Sequence, residues 1–221
     1  MLMWMGSNMS QQFIEPLPQK HKEALKLVFK ALGQDARLSG GTALMLQIGH
    51  RCSYDLDFFL SRPLHVPSIE KRLQKVLGLS MKLTHASSDQ MNIEWEEVRI
   101  SLIHFPFLPL YSILELHGIR LTDLRDIASE KAYALGRREE WRDYVDLFAL
   151  IKGGWVTLRQ IMKDAKERFG EAFSARLFLN QLASGEDVPH EPIQWIKESF
   201  TPEEVCSFLR SAIKEWRLNH D

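Results

Sequence analysis

Two aspartates separated by one residue, Asp55 and Asp57, stand in the run Tyr54-Asp55-Leu56-Asp57-Phe58-Phe59. In a strand, residues two apart share a face, so a strand over Tyr54–Leu60 sets the two carboxylates side by side, roughly 6–7 Å apart at their backbones. Leu56 and Phe58 then turn to the opposite face. Ionised groups on an otherwise apolar strand repel one another and lose hydration, a cost that a cation offsets. Oxygen-only donors suit magnesium, which keeps its other positions for water and substrate phosphates. Two such ions about 4 Å apart can activate an attacking oxygen and stabilise a departing pyrophosphate. The bland account of an isolated Asp-x-Asp is a solvated strand end, here with Arg51 as a partner.

Upstream lies Gly40-Gly41-Thr42, where a short strand, Ala36–Ser39, runs into a helix from Thr42 to Gly49. Glycines let a phosphate approach the backbone, a helix N-terminus offers free N–H groups and partial positive charge, and the Thr42 hydroxyl adds a donor. A Gly-Gly turn alone is usually only a turn. A phosphate cradle followed one helix later by a carboxylate pair has a joint purpose.

The elements that must position these residues follow from periodicity. Gln19–Leu32 and Ser68–Leu77 read as helices, each stopped by a glycine, and Met81–Thr84, Met91–Trp95 and Val98–Phe105 read as strands with Glu96-Glu97 as a hairpin turn. Pro106 and Pro109 mark a break, after which the pattern is helical. The spacing predicts helices over Asp123–Arg138 with Thr122 as N-cap, Trp141–Ile151, Leu158–Phe169, Ala175–Leu182 and Pro202–Leu218, the last opened by a Thr201…Glu204 capping box. The expectation is an α+β protein: a mixed-sheet domain with flanking helices over residues 1–110, then a helical bundle over 111–221 that completes a ligand cleft.

The chain has 221 residues, 45% of them hydrophobic, a formal net charge of -1 and a pI near 6.7. That balance excludes a protein that coats nucleic acid through general basicity and leaves room for a local basic groove. Cys52 and Cys206 lie far apart without zinc-ligand neighbours, which predicts free thiols and a cytoplasmic protein with no membrane attachment. The apolar run Met1–Asn8 lacks a charged leader and reads as a tail.

The segments Leu38-Ser39-Gly40-Gly41-Thr42-Ala43-Leu44, Gly49-His50-Arg51 and Ser53-Tyr54-Asp55-Leu56-Asp57-Phe58-Phe59 resemble the signature of the AbiEii/AbiGii nucleotidyltransferase toxin family, a branch of the polymerase-β-like superfamily. A second block, Leu124-Arg125-Asp126-Ile127-Ala128 leading to Lys131, then Arg142-Asp143-Tyr144-Val145-Asp146-Leu147, is similar to that family's later motifs. The resemblance implies a polymerase-β-like fold and transfer of a nucleotidyl group from a nucleoside triphosphate to an acceptor, with Mg2+. It implies that Asp55 and Asp57 hold the metal, that Gly40, Gly41 and Thr42 bind phosphate, that Arg51 and Ser53 brace the turn, that Lys131 contacts the triphosphate, and that Asp143, with Asp146 behind it, serves catalysis or positioning. It also implies an RNA acceptor, tRNA above all, in a bacterial toxin–antitoxin or abortive-infection system with a cognate antitoxin.

Each helical candidate has a structural alternative: Lys131 as a solvated residue, Asp143 as a partner of Arg138 or Arg142. One departure bears on turnover. The superfamily commonly carries a third carboxylate on a later strand, and Ser101 stands where it is expected. Glu94, Glu96 or Asp143 are the substitutes the sequence offers. A catalytically silent member that binds nucleotide or a partner is the competing expectation, and a phosphate-cleaving enzyme a third.

Overall fold

Ala24, Leu25, Val28, Phe29 and Leu32 recur at helical spacing and are all buried on one side of α1 (Gln19–Leu32). The same arithmetic buries Ile69, Leu73 and Leu77 on α3 (Val66–Leu77). In the computed structural model, which describes residues 17–116 and 118–218, these helices flank a mixed seven-stranded sheet. The run Met1–Asn8 lies outside the described residues.

The strands are β1 (Ala36–Ser39), β2 (Leu56–Leu60), β3 (Met81–Ala86), β4 (Gln90–Trp95), β5 (Val98–His104), β6 (Leu114–Leu116) and β7 (Ile119–Leu121), in spatial order β3-β4-β5-β2-β1-β7-β6. β2 lies at the centre, antiparallel to β1 and parallel to β5. Its residues alternate: Leu56, Phe58 and Leu60 are buried, with Phe29 of α1 edge-on to Phe58 at 5.2 Å, while Asp57 and Phe59 on the other face are half-buried. The Trp95 indole N–H donates to the Leu77 carbonyl at 2.9 Å and fixes the end of α3 to β4.

Between β1 and β2 lies α2 (Gly40–Ile48); the helix starts at Gly40, two residues before its expected start. The remaining helices are α4 (Leu124–Leu135), α5 (Trp141–Lys152), α6 (Leu158–Phe169), α7 (Ala175–Ala183) and α8 (Pro202–Leu218). The capping box at α8 forms: the Thr201 N–H donates to Glu204 Oε2 at 2.8 Å and the Glu204 N–H to Thr201 Oγ1 at 3.3 Å. Thr122 does not cap α4. Its N–H donates to the Leu38 carbonyl at 2.9 Å, so it belongs to the sheet, and the Asp123 carboxylate caps the helix by accepting the Arg125 N–H at 2.9 Å.

Two compact units result. One runs to Leu108 and includes Ile113–Thr122; the other holds Pro109–Ser112 and the chain from Asp123. The sheet thus continues beyond the prolines, through β6 and β7, where sequence periodicity had suggested only helix. In the helical unit, the Asp126 carboxylate accepts the N–H groups of Leu110 at 2.9 Å and Tyr111 at 3.0 Å, and the Tyr111 hydroxyl donates to Asp164 at 2.9 Å. Both thiols are free, and no helix among the described residues is long and apolar enough to cross a membrane.

Glu96 and Glu97 form the expected turn between β4 and β5, but at φ 47° and 73°, a left-handed conformation that side chains disfavour. Replacing the pair by Asn-Gly, the residues this turn prefers, is expected to raise stability by about 1 kcal/mol. The loss of the exposed Lys20–Glu96 ion pair, 3.7 Å long, subtracts little from that. Thermal unfolding of the double variant beside the parent measures the gain.

Candidate active site

Strand register decides what surrounds the two aspartates. β2 begins at Leu56, so Asp57 is a strand residue and Asp55 lies one residue before the strand; the sequence had placed both inside it. Asp57 pairs with Ser39 of β1 on one side and Ser101 of β5 on the other, and Ser101 pairs in turn with Asn92 of β4. Paired residues share a face. One row across the sheet therefore reads Ser39, Asp57, Ser101, Asn92, and the next reads Arg37, Phe59, Ile103, Gln90. Asp55 keeps 39% of its side chain exposed, and the Arg99 guanidinium of β5 lies 3.8 Å from its Oδ1.

The glycine turn is built against these groups. Gly40 has φ +68°, and a Cβ there would stand 2.9 Å from Asp57 Oδ2. A Cβ on Gly41 would stand 2.7 Å from Arg51 Nη2 and 2.8 Å from Ser53 Oγ. Any other residue at either position pushes on the carboxylate or on the two residues behind it. Thr42 is fully buried, and its Oγ1 lies 2.6 Å from the Asp55 carbonyl and 3.1 Å from Ser53 Oγ. A carbonyl only accepts, so the Thr42 proton goes to Asp55 and the Ser53 hydroxyl can donate to Thr42. The threonine therefore holds the entry to β2 in place. Arg51 is 3% exposed and donates from Nη1 to the Cys52 carbonyl at 3.1 Å, a bracing position.

The donor set fits magnesium in its chemistry. Asp55 and Asp57 offer carboxylate oxygen only, and the missing Cβ of Gly40 leaves Asp57 Oδ2 its space. Among the described residues no group of three or more His, Cys, Asp or Glu side chains is placed to hold a metal, so the remaining positions would fall to water and phosphate oxygens. Two of the three substitutes for a third carboxylate lie elsewhere in the sheet, and Asp143 is on α5. Glu96 is in the β4–β5 turn beside Lys20, and Glu94, on β4 two strands from β2, pairs in register with Arg99 of β5.

The sequence did not single out Arg99 or His21. The His21 ring of α1 lies 5.6 Å from the Tyr54 ring, and burial holds its pKa below the ordinary value against the opposing pull of Asp55. Only register and tertiary contact bring either residue to the aspartates.

In the helical unit Lys131 is buried, with Nζ 2.6 Å from Asp143 Oδ1 and 2.7 Å from Asp146 Oδ2. Asp143 and Asp146, three residues apart on α5, share the face that meets α4, and Arg138 Nε donates to Asp143 Oδ2 at 3.1 Å. The structure thus joins the three helical candidates in one ion-paired cluster and makes Arg138 the partner of Asp143. A second buried cluster joins Arg168 to Asp126 at 3.3 Å and to Glu130 at 3.0 Å. Burial raises the Asp126 pKa, opposed first by the Leu110 N–H and then by Arg168. Trp141 is buried against His190 and Tyr144, which makes it a core residue, whereas Trp155 is 40% exposed.

Comparison with known proteins gives a family for this arrangement. The family model described as nucleotidyl transferase AbiEii toxin, type IV toxin–antitoxin system, matches residues 24–205. An uncharacterized protein of Aquifex aeolicus (strain VF5) is 30% identical over 210 residues, covering 92% of this chain and 98% of that protein. The fold is shared with MenT4, a nucleotidyltransferase toxin of Mycobacterium tuberculosis H37Rv, at a TM-score of 0.57 and 14% identity over 96% of this chain and 89% of that one. It is also shared with JHP933 of Helicobacter pylori, at a TM-score of 0.54 and 15% identity over 92% of this chain and 96% of that one.

Replacing Lys131 by methionine removes the ammonium that two buried carboxylates share. The expected loss is about 3 kcal/mol or more in urea unfolding, since breaking a buried pair from one side strands the other charge. Arginine at the same position should recover part of it.

Proposed function

We propose, since the chain belongs to the AbiEii family of nucleotidyltransferase toxins, that it transfers a nucleotidyl group from a nucleoside triphosphate to RNA, tRNA above all, with magnesium held by Asp55 and Asp57. The observation that carries this reading is the 2.9 Å between the Cβ position of Gly40 and Asp57 Oδ2. It joins the glycine turn and the carboxylate pair into one site, so that a phosphate at the turn lies beside the metal-binding oxygens. In the same reading the family makes an antitoxin the chain's partner and a nucleotide its substrate.

The residues divide the work. Gly40 and Gly41, in the first turn of α2, direct backbone N–H groups at the phosphates of the leaving pyrophosphate. Thr42 and Ser53 hold the Asp55 backbone, and Arg51 stiffens the wall behind Gly41. Magnesium, when bound, neutralises the phosphate charge and lowers the pKa of the attacking hydroxyl. We assign to Lys131 and Asp143 the family's roles of triphosphate contact and catalysis, with Asp146 sharing the hold on the ammonium.

Replacing Asp57 by asparagine should lower magnesium-dependent incorporation of labelled nucleotide into bulk tRNA by roughly a hundredfold or more, while thermal unfolding changes little. Undiminished incorporation would overturn the assignment. Gly40→Ala should also lose activity, because it combines strain at positive φ with pressure on Asp57.

A silent, nucleotide-binding member is the second reading, favoured by Ser101 beside Asp57 where a third carboxylate is commonly found. Calorimetric binding of triphosphate and magnesium, with no incorporation into RNA or protein and no release of phosphate, would select it.

A further inference from the structure

We infer that Arg99 binds a phosphate of the acceptor RNA and thereby sets the acceptor on the β5 side of the carboxylate pair. The inference rests on the nucleotidyltransferase reading, and its starting point is the strand order. β2, which carries Asp57, has β1 and the glycine turn on one flank and β5 on the other. In transfer, the acceptor hydroxyl oxygen bonds to the α-phosphorus as the bond from that phosphorus to the bridging oxygen of pyrophosphate breaks. Pyrophosphate leaves with the electron pair, and the hydroxyl proton passes to solvent. Attacking and leaving oxygens lie roughly in line on opposite sides of the phosphorus. With the leaving phosphates at Gly40 and Gly41, the attacking side falls toward β5.

That flank presents Arg99, Ser101 and Ile103 on the face shared with Asp57 and Phe59, because Val98, Ile100 and Leu102 are buried on the other. Arg99 is the cation of the strip, with 77% of its side chain exposed. The planar fork of an arginine matches a phosphate with paired, charge-assisted hydrogen bonds, a stronger hold than it has on a neutral protein hydroxyl. Its contact with Asp55, at 3.8 Å and mostly in solvent, is of the kind worth little to stability, so its removal should leave the fold intact. The contact also sets the alternative to be excluded, in which Arg99 only balances the charge of Asp55.

The test compares the parent with Arg99→Ala, Arg99→Lys and Arg99→Glu, using bulk tRNA labelled with fluorescein at the 5′ end. Fluorescence anisotropy is followed over a salt series without triphosphate, and KM for tRNA, KM for the triphosphate and the half-saturating magnesium concentration are measured in the transfer assay. Arg99→Ala should weaken tRNA binding by roughly three- to tenfold and reduce the slope of log affinity against log salt by about one. Lysine should recover part of the loss and glutamate deepen it, with KM for the triphosphate within about twofold of the parent. Unchanged tRNA affinity and slope would overturn the proposal. So would a change confined to magnesium half-saturation, or transfer of nucleotide from a labelled triphosphate to protein in preference to RNA. A parent chain inert in every transfer assay would overturn the underlying reading instead, and the anisotropy series would still decide whether Arg99 binds RNA.

Discussion

Asp55 and Asp57 carry like charges at the head of one strand, and charges held so near one another repel. The sheet around them is arranged to tolerate that cost. Asp55 stands one residue outside the strand with part of its side chain in water and Arg99 nearby, and its carbonyl is fixed by Thr42. Asp57 has serines for both register neighbours, groups that add no further charge. Gly40 contributes by having no side chain at all. What results is a pair of carboxylates held in position by the backbone around them, oxygen donors of the kind a hard cation takes.

The helical unit treats its carboxylates in the opposite manner. Asp126, Asp143 and Asp146 are fully buried, and each has its cation within the same unit: Arg168 for the first, Lys131 for the other two. Buried pairs of this kind add little net stability over an apolar core but penalise any arrangement that separates them. Lys131, Asp143 and Asp146 therefore tie α4 to α5, and Asp126 ties Leu110 and Tyr111 to α4. A family motif residue can be architectural and chemical at once, which is why loss of activity alone at Lys131 would not identify its part.

Much of this could be read in the residues themselves. Long helices declare their buried face by period, as α1 does with Ala24, Leu25, Val28 and Phe29, and the Thr201–Glu204 box is a local signal that needs no tertiary context. That the Gly40-Gly41 turn and the Asp55-x-Asp57 segment belong together was equally legible, and Gly40 does lie against Asp57. Three-residue strands were not: Leu114–Leu116 and Ile119–Leu121 are too short to display a period, and they exist because β1 offers them an edge. Thr122 and Asp123 are both good caps by type, and the choice fell to the hydrogen bond from Thr122 to Leu38. Arg99 and Arg168 were invisible for a deeper reason, since which carboxylate an arginine meets depends on register and packing, not on neighbours in the chain.

The chain passes from one unit to the other three times, at Leu108, Ser112 and Thr122. No single cut therefore yields two self-sufficient fragments, because a break after β5 deprives β1 of the strand that lines its outer edge. During synthesis this has a temporal meaning. Leu38 must wait for Leu121 before that edge is closed, and the glycine turn follows directly on from Leu38 and Ser39. A nascent chain carrying every residue of the glycine turn and the aspartate pair still has an open sheet beside them, exposed to wrong pairing until the ribosome has made dozens more residues. Truncated products of this gene would be more prone to aggregate than to act.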